Sequence, residues 1–108
     1  MSRTILAEPA DRYDLTPLLG FGDITYVFPN GAPVMNPDDG MQRIQEFLNT
    51  NFDPEKDYIV FTGNLIAVSW VFGAALAGFQ QVRTLVFDAR MGLYKERIVT
   101  SPYTFIEE

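Results

Sequence analysis

The chain of 108 residues contains no cysteine and no histidine. The missing cysteine excludes disulfides, and the two absences together exclude zinc held by thiolate or imidazole. They also remove the side chains that most often serve as nucleophile and general base. An enzyme built from this chain would have to use carboxylates, hydroxyls or amines instead. Positive charge is scarce as well, with eight Lys and Arg against fourteen Asp and Glu and a net charge of −6. Most of the imbalance lies in residues 1–57, where Arg3, Arg12, Arg43 and Lys56 face ten acids. Nucleic-acid binding draws on phosphate neutralisation, so a chain without a basic stripe is not expected to bind it. Acidic mimicry of nucleic acid is the lesser reading beside ordinary surface solubility. No secretory apolar run is visible, since Met1 to Ala7 is followed at once by Glu8-Pro9. With no cysteine either, a cytoplasmic location is expected.

What the chain has in abundance is apolar surface. From Tyr58 to Val82, twenty-five residues pass without a charge. The run is long enough to cross a bilayer, but Thr62-Gly63-Asn64 interrupts it. The helical part, Leu65 to Phe79, is too short for a span and has the length of a buried helix, so no membrane association is expected. The run reads as strand (Tyr58 to Phe61), tight turn, and a helix apolar almost all the way round.

The remaining elements follow from turn chemistry and periodicity. Thr16-Pro17 can open one helical turn, and Asp23 to Phe28 is a strand closed by Pro29-Asn30-Gly31. Asn36-Pro37-Asp38-Asp39 is a helix start, with Asn36 placed to accept from the first backbone N–H groups. Met41, Ile44, Phe47 and Leu48 then form an apolar stripe. Val82 to Phe87 and Leu93 to Val99 are strands joined by a loop of hairpin length at Asp88 to Gly92. Lys95, Glu96 and Arg97 suit a solvent-facing edge. The expected fold is a small β-α-β-α-β-β domain of the α/β class over residues 1–108. It has two main helices and three mainly parallel strands plus an antiparallel edge strand. Residues 1–22 are expected as an N-terminal extension and 100–108 as a tail that docks through Tyr103, Phe105 and Ile106.

Two places carry functional expectations. Thr62, Gly63 and Asn64 lie where a central strand meets a helix N-terminus, a position that favours anions, and Asp88 ends a neighbouring strand. These four residues are the candidate ligand site for a nucleotide or phosphate. Neither the dinucleotide fingerprint nor a phosphate loop is present, so a plain capped turn is the simpler reading. No catalytic residue, metal or cofactor is indicated. The second place is the apolar helix. Ser69 is expected to be buried and to bond back to the preceding turn. Gly73, Ala74 and Ala77 make a small-residue face flanked by Trp70 and Phe72. One sheet cannot cover so many apolar side chains, and an exposed apolar patch marks an interface. A closed homo-oligomer is therefore expected through Trp70, Phe72, Gly73, Ala74 and Ala77.

The order Tyr13-Asp14-Leu15-Thr16-Pro17, Phe21 to Phe28, Asn36-Pro37 and Asp57 to Asn64 resembles a class of small tailed-phage proteins of unknown function. The later Leu85-Val86-Phe87-Asp88 and Tyr94 fit the same class, so the resemblance spans residues 13–99. Where that class has Asp-Pro after the glycine, this chain has Asn64-Leu65. The resemblance implies a phage origin and the host-cell cytoplasm, and it implies no chemistry. The function expected from the sequence is binding to a host or phage macromolecule, a protein being the candidate partner, by a self-associating, non-enzymatic accessory protein. A small-ligand binder is the alternative.

Overall fold

The computed structural model describes residues 2–102. Five strands form one sheet in the order β2-β1-β3-β4-β5: β1 Arg3–Leu6, β2 Asp23–Tyr26, β3 Tyr58–Val60, β4 Gln81–Asp88 and β5 Leu93–Thr100. The first four are parallel and β5 is antiparallel to β4, as an α/β domain with an antiparallel edge requires. Two helices, α1 Pro37–Asn51 and α2 Leu65–Gly78, complete the fold.

Residues 1–22 are not an extension, because they contain β1, the strand next to the centre of the sheet. Thr4 pairs with Ile24 on one side and Tyr58 on the other. Four residues are too few to show a periodicity, and so the strand is silent in the sequence. Gly22 marks where β2 joins it. Its φ is +141°, and a Cβ there would run into the backbone carbonyl of Ser2.

The chain steps one way from β1 to β2, then back across β1 to β3. Crossovers of one hand then have to lie on opposite sheet faces. Accordingly α1 and α2 pack over Ile5, Ile59 and Val82, while residues 10–21, with a 3-10 turn at Thr16–Leu18, cover Leu6, Val60 and Leu85. The chain therefore covers its second face itself. Each fully buried Ile, Leu or Val in these two layers contributes about 1.5–3 kcal/mol.

The helices meet where α1 has no side chain. A Cβ on Gly40 would lie 2.5 Å from the Trp70 ring, so glycine is what lets the indole lie against α1. The cap of α1 differs from expectation. The Asn36 side chain makes no capping bond and instead donates from Nδ2 to Asp39 Oδ2 at 2.8 Å. The charges on β5 are also less solvated than an edge suggests. Lys95 reaches Asp88 at 2.9 Å and Glu96 binds Arg83 at 3.2 Å, which leaves Arg97 exposed. The expected docking of Tyr103, Phe105 and Ile106 lies outside the described residues.

Candidate functional site

Three of the four expected ligand residues lie in the turn between β3 and α2. The sequence Thr62-Gly63-Asn64 folds tightly here because Gly63 takes a φ of +112° and Asn64 caps the helix. Asn64 Oδ1 accepts from the backbone N–H groups of Ile66 at 2.9 Å and Ala67 at 3.3 Å. Two of the donors that would hold a phosphate at this helix end are thus taken by the chain itself. Asp88 is also engaged. Its carboxylate pairs with Lys95 and accepts the backbone N–H groups of Arg90 and Met91, closing the β4–β5 hairpin. The Lys95 hydrogen bond, more than any other contact, holds the Asp88 carboxyl below its ordinary range.

Thr62 has a different partner. Its Oγ1 lies 2.7 Å from the Tyr94 hydroxyl of β5, and both side chains are more than nine-tenths buried. The pair forms the floor of a cleft of about 400 Å³ at the carboxyl end of the sheet. Tyr13 and Pro17, from the β1–β2 connection, form one side, and Phe61 and Phe87 add aromatic surface. Arg12 and Asp14 stand at the same opening and are both exposed. Hydrogen bonds from the Thr16 side chain and backbone keep the Asp14 carboxyl below its ordinary range, so the opening carries one charge of each sign. Such a cleft beyond the carboxyl ends of parallel strands is where open α/β sheets bind ligands. Gly63 belongs to it, whereas Asn64 and Asp88 do not line it. Tyr94, Phe87, Tyr13 and Pro17 were not singled out in the sequence as site residues. Thr62 and Tyr94 are 32 positions apart, and only the pairing of β3 with β4 and β4 with β5 brings them together.

The five expected interface residues separate into two groups. Trp70 packs on α1 at Gly40, Phe72 meets Phe61 edge to face at 4.8 Å, and Ala74 packs against the core. These three are used inside the chain. Gly73 and Ala77 are exposed, and they share a face with Ile66 and Ser69. Ser69 bonds back to Leu65 O at 2.7 Å as expected, but it is exposed rather than buried because it points away from the sheet. Leu65 is 78% exposed and Ile66 50%, with exposed Met41 on α1. The outer face of α2 is therefore apolar, uncharged and uncovered by the described residues.

Gly73 sharpens this. Glycine inside a helix costs about 1 kcal/mol relative to alanine. At Gly40 the Trp70 ring requires it. At Gly73 an added Cβ would meet nothing within 4 Å, so among the described residues nothing uses the missing side chain.

Among the described residues no helix is long and apolar enough to cross a membrane, and no group of three or more acids is placed to hold a metal ion. The sequence profile of the phage Pam3 gp32-like protein family matches residues 5–101. No curated protein and no solved structure matches the chain.

Proposed function

Because the chain belongs to the phage Pam3 gp32-like protein family, we propose that it is a phage-encoded accessory protein that associates with copies of itself along the outer face of α2. In the host cytoplasm it then acts by binding a phage or host macromolecule, without catalysing a reaction. The observation that carries this reading is the uncovered face itself. Leu65, Ile66, Ser69, Gly73 and Ala77 expose a helix surface without a charge, and Gly73 holds open a space that none of the described residues fills. A helix with no side chain at its crossing point can be approached closely by another helix, and that contact would offset the cost of the glycine.

The absence of native cysteine makes a direct test simple. Ser69→Cys places a single thiol on the face one turn from Gly73. With a short bifunctional thiol reagent, the variant is expected to give a linked dimer in high yield at low micromolar protein. Lys56→Cys, in the exposed turn before β3 and so at the other end of that strand from α2, is expected to give little. Equal, low yields from the two thiols would count against the α2 face.

A second reading, small-ligand binding, is favoured by the cleft over Thr62 and Tyr94. It does not conflict with the first, since the cleft opens at the sheet end rather than on α2.

A further inference from the structure

Two hydroxyls that bond only to each other cannot both be satisfied as donors. Thr62 and Tyr94 each carry one O–H, and at 2.7 Å one donates to the other. The acceptor of that bond keeps its own proton, and neither hydroxyl has another hydrogen-bond partner among the described residues. Buried donors in folded proteins are paired with protein or water, so the spare proton at the floor of an open cleft is where the acceptor of a ligand can take the place of water. The lining says what kind of molecule brings that acceptor. Tyr13, Phe61 and Phe87 offer ring surface, and aromatic rings bind other rings by edge or offset contact. Arg12 and Asp14 balance at the opening, so no net charge selects an anion. Two of the backbone donors at the start of α2, those of Ile66 and Ala67, are already held by Asn64, which disfavours a phosphate there.

We infer that this cleft binds a small, neutral aromatic ring bearing a carbonyl oxygen, and that the oxygen accepts the spare proton of the Thr62–Tyr94 pair. The inference is independent of self-association on α2, because the two surfaces are built from different residues.

The test uses benzamide as the probe and toluene, which lacks the acceptor, as its control. Protein NMR of the intact chain follows the resonances of Thr62, Phe87 and Tyr94. Benzamide is expected to shift them saturably with a Kd on the order of 1 mM, ordinary for so small a molecule. Toluene is expected to bind at least ten-fold more weakly. Either hydroxyl can supply the proton, so the decisive variant removes both. Thr62→Val with Tyr94→Phe keeps the shape of the floor, and replacing both partners by apolar groups is close to neutral for folding. In that variant the preference for benzamide over toluene is expected to vanish, while each single variant retains it. If the double variant does not fold, Phe87→Ala removes an exposed wall instead and is expected to weaken benzamide ten-fold. No binding to the wild-type cleft overturns the inference. So does a preference unchanged by loss of both hydroxyls, or binding unchanged in Phe87→Ala.

Discussion

Replacing Asp57 by alanine is expected to destabilise the domain by about 3 kcal/mol or more. Asp57 is buried, and its carboxylate collects three donors. Oδ1 accepts the Arg3 backbone N–H at 3.1 Å, and Oδ2 accepts the Arg3 guanidinium and the Asp53 N–H, both at 2.9 Å. Arg3 opens β1 and Asp57 immediately precedes β3, so one carboxylate fixes the register of the two shortest central strands. Alanine leaves those donors without their acceptor. The Arg3 charge itself is partly hydrated and contributes less than the two backbone groups. At ~4–8 °C per kcal/mol for a domain near this size, the midpoint of thermal unfolding should fall by roughly 12–24 °C. Asp57→Asn keeps the shape and one acceptor oxygen, so it should lose about half as much. A fall below about 5 °C for the alanine variant, on that same scale, would mean that β1 is not held in the way described.

Gly73→Glu should act in opposite directions on the chain and on its assembly. In the isolated chain the site is open and exposed, and glutamate is a far better helix former than glycine. A gain of ~0.5–1 kcal/mol in the stability of the monomer is expected. In the assembly the same side chain would bring a charge into a dry helix contact, where it has no partner. A cost of about 3 kcal/mol there corresponds to a dissociation constant raised at least ~100-fold. Thermal unfolding of dilute protein and sedimentation across a concentration series separate the two effects. A variant that unfolds at lower temperature when dilute, or that assembles as tightly as the wild type, contradicts this assignment.

Much of the frame was legible from short-range chemistry. Asn64 was recognisable as a cap because a side-chain acceptor directly before an apolar helix has one strong use, and it makes that bond. The turn at Gly63 and the hairpin from Asp88 to Gly92 were legible for the same reason. The resemblance to small phage proteins rested on this run of strands and turns, and the family match bears it out. What escaped notice depends on distance. Nothing near Arg3 announces that its backbone N–H needs Asp57, 54 positions on. The Asn36 cap failed because Asp39, one turn later, offers its amide group a charged acceptor. Gly40 and Gly73 look alike in the sequence, both set in helices, yet one is filled by Trp70 and the other faces open space. The floor of the cleft likewise needs two strand pairings before Thr62 and Tyr94 meet.

On the proposal made above, the outer face of α2 seats another copy of the chain. Sedimentation equilibrium of the untagged wild-type protein, from sub-micromolar to high-micromolar concentration, tests it most directly. The expected mass is a whole multiple of 12.2 kDa at the upper concentrations, and Gly73→Glu should return it to 12.2 kDa. A wild-type mass of 12.2 kDa at every concentration would contradict the proposal.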